Sequence, residues 1–387
     1  MSGEEKTARP LEGVKVVEAG IALAGPFCGS VLADLGASVV KVERPDGGDP
    51  ARLLGPAIDD TPLWWGVASR DKLCVSVDLK QKEGRDRFLS LIDDADVFVE
   101  NYRPGVLDRL GLGWEELSKR NPRLVMMSIS GFGQTGPNTG LPGFGKIAEG
   151  LSGIVPLTGA PDDTPLHVGF SLADTSAGLM GTMAITMALF QRDLNGGLGS
   201  RIDVGLYEPL FRMMELQFAL TETSGATPKR NGTNDPYGWG ARDASERRYV
   251  ALTCRDDAEI LVLLDARSHE PLARCVGKTV SLSPDELEAS MREWASDLDL
   301  DEAGRLLRAS KVQAARIHDG MSMAEDPYFL ARGDVIWTTL NDDKRIAVPG
   351  HVPRSGSNMI PFRPTKVGDD DGRVFGDPST KTAETPT

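Results

Sequence analysis

The chain has 387 residues, 40% hydrophobic and 26% charged, which is enough for a large buried core and for more than one domain. Its formal net charge of −14 argues against a nucleic-acid partner or an anionic-membrane surface, since both need a spread of positive potential. Cys28, Cys74, Cys254, Cys275 and His167, His269, His318, His351 stand at no metal-ligand spacing, Met1–Arg9 holds no apolar signal segment, and no stretch reaches the ~20 uninterrupted apolar residues of a membrane span. These bounds predict a cytoplasmic, metal-free, soluble protein.

Val14 to Glu18 reads as a short buried strand, followed by a glycine- and alanine-rich turn and a helix entered at Pro26 and stopped at Gly36. Val39 to Glu43 is a second strand, so the chain opens with a βαβ unit and a parallel pair. Glu43 at that strand end would suit a ribose, but the turn carries only Gly20 and Gly25 and lacks the G-x-G-x-x-G spacing. Arg44 beside it suits a phosphate better. A nucleotide-binding oxidoreductase is therefore one reading of this unit.

Asp49 to Trp65 reads as loop, Cys74 to Leu79 as a strand, Lys82 to Asp94 as a helix and Val97 to Glu100 as a strand. That last strand opens into Asn101-Tyr102-Arg103-Pro104-Gly105, with Arg109 just beyond, where an open α/β sheet would bind a ligand. Trp114 to Arg120 reads as a helix, and the buried strand Leu124 to Ser130 runs into the glycine-rich loop Gly131 to Pro137. Glycines there could bring backbone N–H groups up to a ligand. Lys146 to Gly153 reads as helical.

Asp174 then sits where an extended segment gives way to the small and apolar run Ala177 to Phe190. A carboxylate at such a point is either a helix cap or a nucleophile that forms acyl intermediates, and its position alone leaves both open. Beyond it come a strand over Ser200 to Leu206 and a helix from Tyr207 to Leu220. The polar stretch Thr221 to Tyr237 marks the way into a smaller domain, with a strand at Tyr249 to Thr253 and a helix over Asp256 to Ala266. Pro284 to Leu307 reads as an acidic helical stretch, Arg316 to Asp319 and Val335 to Leu340 as strands, and Lys366 to Thr387 as a frayed tail.

Six motifs in one order resemble the family III CoA-transferases, the formyl-CoA transferase and carnitine CoA-transferase group. They are Leu11-Glu12-Gly13-Val14-Lys15-Val16-Val17 with Ala24-Gly25-Pro26, then Leu35-Gly36-Ala37 leading to Lys41-Val42-Glu43-Arg44, and Val77-Asp78-Leu79-Lys80. Val99-Glu100-Asn101-Tyr102-Arg103-Pro104-Gly105 with Leu107-Asp108-Arg109-Leu110-Gly111 follows, then Ser128 to Pro137, then Ala173-Asp174-Thr175-Ser176-Ala177-Gly178. Asn234-Asp235-Pro236-Tyr237 and Met323 to Arg332 match more loosely.

The resemblance implies an α/β fold, with a large Rossmann-like parallel-sheet domain built from both chain ends and a smaller α+β domain between. The corresponding division is 1–205, 206–325 and 326–387. It implies a homodimer of two interlocked, ring-like chains. It makes Asp174 the catalytic carboxylate, and it implies that CoA is held near Ala24 and by Arg44, Asp78, Lys80, Asn101, Tyr102, Arg103 and Arg109. The substrates would be an acyl-CoA and a carboxylic acid, exchanged through aspartyl anhydride and thioester intermediates, with no permanently bound cofactor and no metal.

The chain departs from the family in places. Phe144 stands in the substrate pocket where the related α-methylacyl-CoA racemases place a histidine, and a phenyl ring carries no proton. A 2-methylacyl-CoA racemase or epimerase is accordingly the alternative within the superfamily, and a non-catalytic CoA-binding protein remains a further one. Gly145 stands where many members have Asp, and Gly238-Trp239-Gly240 is the nearest match to the glycine loop of formyl-CoA transferases. Asp371-Gly372-Arg373-Val374-Phe375-Gly376 replaces the family's usual C-terminal segment.

Overall fold

In a computed structural model the chain is described over residues 9–58, 61–225, 227–232, 247–341, 344–353 and 365–376. It divides into two compact units, one of residues 1–154, 168–215 and 331–387, the other of 155–167 and 216–330. Asn234 to Tyr237, Gly238 to Gly240 and the tail beyond Gly376 lie outside the described residues.

The larger unit is organised on six parallel strands: β1 (Lys15–Glu18), β2 (Ser38–Glu43), β3 (Lys72–Ser76), β4 (Val97–Glu100), β5 (Val125–Ser130) and β6 (Arg201–Gly205). Their order in the sheet is 3-2-1-4-5-6. β4 and β5 are buried at every position, as expected of strands covered on both faces, and so they read in sequence as unbroken apolar runs. One face packs on α1 (Ala24–Asp34) and, beyond it, the long helix introduced below as α4. The other packs on α2 (Lys82–Ile92), where Phe88 meets Phe98 edge-on at 5.3 Å. The chain winds outward from β1 to β3, then returns to start again at β4. The carboxyl ends of β1 and β4 are therefore the topological switch point, where open α/β sheets form a ligand crevice.

After β5 come α3 (Gly145–Ser152) and α4 (Leu172–Leu194). The 23 residues of α4 are long and apolar enough to pass for a membrane span by composition, but 39% of its most apolar window is buried inside the protein. Gly178 explains how it docks. A β-carbon there would lie 3.1 Å from the Ala24 carbonyl oxygen and 2.8 Å from the Phe27 ring, so only hydrogen lets the two helix backbones touch.

Three local expectations change. The stretch read as a helix from Asp256 to Ala266 is instead a strand over Glu259–Leu264, paired antiparallel with Arg248–Thr253. Its EILVLL run is β-branched and apolar, and Asp257 at φ 60 makes the hairpin turn that a helix would not need. The loop expected at Asp49 to Trp65 contains a short helix, Leu63–Ala68, whose Trp65 is buried. Lys366 to Gly376 is not frayed: Asp370 and Asp371 accept hydrogen bonds from the N–H groups of Cys74 (2.8 Å) and Ser76 (2.7 Å) on β3. Those carboxylates satisfy part of the open edge of the sheet. Val335–Asn341 and Lys344–Pro349 form a hairpin against Ile58, Leu63 and Val67.

In the smaller unit, β7 (Arg248–Thr253), β8 (Glu259–Leu264) and β9 (Ala314–Ile317) form an antiparallel sheet in the order 9-8-7. Two helices cover it, α5 (Pro284–Ser296) and α6 (Leu300–Ala309), in place of one acidic helical stretch. A Ser283/Glu286 capping box starts α5.

Candidate active site

The crevice predicted by the strand order exists. A cleft of about 470 Å³ opens at the carboxyl ends of β1 and β4, with Ala24, Asn101, Tyr102, Arg103, Phe144 and Asp174 all on its wall. A larger hollow of about 830 Å³ lies at the amino ends of β1 and β2, around Lys15, Arg87 and Phe375, and touches none of the expected site residues. Sheet topology favours the smaller cleft.

Asn101 stitches the two strand ends together. Its Oδ1 accepts from the Ile21 N–H at 2.6 Å and its Nδ2 donates to the Ile21 carbonyl at 2.9 Å. Both polar ends of this side chain are thus engaged in shaping the wall. Tyr102, mostly buried, has its phenol pushed up by that burial.

Asp174 is the third residue of α4, and Ser171 occupies the N-cap position, so the carboxylate is not the helix cap. It lies half-buried against Gly145: a β-carbon there would stand 2.0 Å from Oδ2. Glycine leaves room here for the carboxylate in this position, and its backbone angle is ordinary. The site also contains two residues to which the sequence reading gave no role. Lys146 Nζ donates to the carbonyls of Val168 and Phe170, both at 2.7 Å, and so clamps the segment that leads into α4. The same ammonium pairs with Glu149, fully buried one turn further along α3, at 2.9 and 3.1 Å.

Burial pushes the Asp174 carboxyl up to about 6, with Glu149 adding to the rise and Lys146 opposing it. A carboxylate so raised is more basic and less solvated than one in water, and remains mostly ionised at neutral pH.

The remaining expected residues are arranged along the same sheet edge but outside the cleft. Arg44 follows β2 and donates to the Gly48 carbonyl at 3.0 Å; Asp78 and Lys80 follow β3, where the Lys80 N–H reaches the Asp78 carboxylate at 2.9 Å. Arg109 ends the short helix Val106–Arg109 and is exposed. Glu43 is not presented to a ribose: it is buried, and Arg52 grips both its oxygens at 2.8 and 2.7 Å. The glycine-rich loop is also only partly available. Gly131 reaches the cleft, but the Gln134 N–H is held by both Asp203 oxygens at 3.0 and 2.9 Å.

The sequence profile of CoA-transferase family III matches residues 11–370. Over 357 residues the chain is 34% identical to the succinyl-CoA–D-citramalate CoA-transferase of Chloroflexus aurantiacus, covering 90% of this chain and 89% of that protein. It is 36% identical over 271 residues to the acetyl-CoA:oxalate CoA-transferase of Acetobacter aceti, covering 69% of each. The crystal structure of a CaiB/BaiF family protein from Brucella suis superposes with a TM-score of 0.83 at 29% identity, covering 95% of this chain and 99% of that one.

Proposed function

The chain belongs to CoA-transferase family III, and on that premise we propose that it moves CoA from an acyl-CoA to a free carboxylic acid with Asp174 as the nucleophile. The observation that carries this reading is the placement of Asp174: half-buried, raised in pKa, and in the wall of the cleft at the sheet's switch point.

A carboxylate oxygen of Asp174 attacks the donor's thioester carbonyl, the C–S bond breaks, and CoA leaves as a thiolate. The resulting mixed anhydride is attacked by that thiolate at the aspartyl carbonyl, which releases the donor acid and leaves an aspartyl-CoA thioester. The acceptor carboxylate attacks this thioester and expels the thiolate. The thiolate then takes the acceptor acyl group from the second anhydride and frees Asp174. Every step exchanges one acyl acceptor for another, so electrons balance without an oxidant or reductant. CoA would run along the strand ends, its phosphates facing Arg44, Lys80, Arg103 and Arg109, with Ala24, Asp78, Asn101 and Tyr102 around the remainder. Relatives that act on citramalate and oxalate support small dicarboxylates as acceptors. Phe144 in the cleft wall gives no support to racemisation, which needs a proton carrier.

The same reading makes the protein a homodimer. Leu179, Met183, Met187, Phe190 and Leu194 repeat at helical spacing along α4 and are all exposed on the single chain. Sedimentation should give one species of twice the chain mass; a monomer at micromolar concentration would count against it.

The test of the mechanism is intact-protein mass after incubation with succinyl-CoA or acetyl-CoA, followed by hydroxylamine trapping. A CoA-sized adduct on the Asp174 peptide is expected. Asp174→Ala should lower turnover by at least roughly 10⁴-fold, the order seen when a covalent nucleophile is removed, while CoA still binds. Retained turnover in that variant would overturn the assignment.

A further inference from the structure

Three neighbouring strands each carry a charge into the core: Glu18 on β1, Lys41 on β2 and Lys72 on β3, none more than 1% exposed. They meet beneath the turn that joins β1 to α1. Lys41 Nζ donates to Glu18 Oε1 at 2.7 Å, to Asp49 Oδ2 at 2.6 Å and to the Gly20 carbonyl. Lys72 Nζ donates to Glu18 Oε2 and to the Pro26 carbonyl, each at 2.7 Å. The second Asp49 oxygen accepts from the Ala22 N–H at 2.9 Å and from the Ala51 N–H at 2.8 Å. Asp49's own N–H donates to Glu43, the partner of Arg52, so three carboxylates face three cations and the buried charge cancels.

Buried ion pairs are a weak route to stability, because apolar side chains of similar volume usually fill such sites as well. What this network touches gives it another purpose. Its hydrogen bonds end on Gly20, Ala22 and Pro26, and Ile21 to Ala24 between them form one wall of the cleft. The two lysines also draw in one carbonyl oxygen of the turn, Gly20, and one of the first turn of α1, Pro26. Ala22 stands at φ 62, a left-handed conformation that alanine keeps only when its surroundings impose it.

We propose that Asp49, braced by Lys41, is a positioning residue that holds the wall over Ile21 to Ala24 preformed for the acyl-CoA thioester. The proposal rests on the reading of this cleft as the acyl-CoA site. Asp49 touches no substrate; it fixes Ala22, and through Ala22 the shape that the substrate meets. Binding then needs no ordering of the loop, which keeps affinity high.

The test compares Asp49→Asn with Arg70→Gln, which breaks the Asp34–Arg70 pair at the far end of α1 and away from the cleft. D49N should raise the KM for acyl-CoA by about tenfold, the size of one lost charged hydrogen bond, with kcat within about threefold of the parent. R70Q at a matched loss of Tm should leave KM unchanged. Adding Ala22→Gly to D49N should recover several-fold of the KM, since glycine adopts the left-handed conformation unaided. A KM in D49N no higher than in R70Q, or no recovery by A22G, overturns the proposal. Hydrogen exchange on the unmodified protein gives a second measurement that does not depend on a variant folding. The amides of Ile21 and Ala22 should already be protected without ligand, and protection that appears only after CoA is added overturns a preformed wall. A parent protein that neither binds CoA nor turns over any thioester would instead sink the reading of the cleft, and is told apart from these outcomes because it precedes any variant.

Discussion

The two units bury polar groups very differently. In the larger unit Glu18, Lys41, Glu43, Asp49, Lys72, Glu100 and Glu149 are all nearly inaccessible, whereas among the described residues no buried polar or charged side chain belongs to the smaller unit. The smaller unit follows the simple pattern of an apolar sheet face under amphipathic helices, with its ion pairs, such as Arg274–Glu270 and Arg255–Asp299, on the surface. Desolvating a charge costs several kcal/mol unless it is paired, so a fold that needed only stability would resemble the smaller unit throughout. On the function proposed above, the buried charge of the larger unit serves to set shape and proton affinity near the cleft.

Three substitutions sharpen that contrast. Gly145→Ala places a methyl group where the Asp174 carboxylate lies and should lower kcat by roughly a hundredfold, the usual result of shifting a reacting group by an ångström. Near-normal Tm and CoA affinity are expected with it, and an unchanged kcat would show that Asp174 reacts from another position. Lys146→Met removes a positive charge that, after a backbone hydrogen bond, lowers the Asp174 pKa, and leaves Glu149 buried without this partner. The acid limb of the rate profile should move above its expected midpoint near 6, and Tm should fall by ~3 °C, since Lys146 is itself partly exposed. A profile that stays in place would remove Lys146 from the electrostatics of the site.

The smallest effect runs the other way. Burial raises the folded-state carboxyl of Asp174 from an ordinary 3.8 to about 6, so its contribution to stability is present below pH 3.8 and lost as pH rises through 6. Asp174→Asn should therefore raise Tm at pH 7 by ~2 °C, and the gain should vanish below about pH 4. A loss of stability at pH 7 would mean that the carboxylate is held by its surroundings and not strained by them.

Much of this was legible from the chain. The parallel sheet follows from apolar strands alternating with amphipathic helices, whereas Asp174 was marked only by its place ahead of a small, apolar run, and its role came from the motif around it. The Lys146–Glu149 pair was hidden because an i,i+3 lysine and glutamate on a helix ordinarily mark a solvated face. The lysines in KLCVS and SVVKVE carried a signal that could have been read: a charge inside a buried parallel strand must have a partner. Asp49, the partner of Lys41, lay in a stretch read as plain loop, where no periodicity shows which side chain turns inward. The β8 strand was misread because its short apolar run, Ile260 to Leu264, fits either a helix or a strand until its partner is known.

The carboxylates that close the edge of β3 bear on how the protein is made. Asp370 reaches Cys74 across 296 residues of sequence, and Asp371 reaches Ser76 across 295. A ribosome extending the chain at roughly 5–20 residues per second leaves that strand's outer N–H groups uncovered for tens of seconds after β1 to β6 could pair. During that interval the nascent sheet presents an open edge to any neighbouring chain. Its completion waits for a segment made well after β6, and until then the uncovered strand is a point at which this fold is open to misassembly.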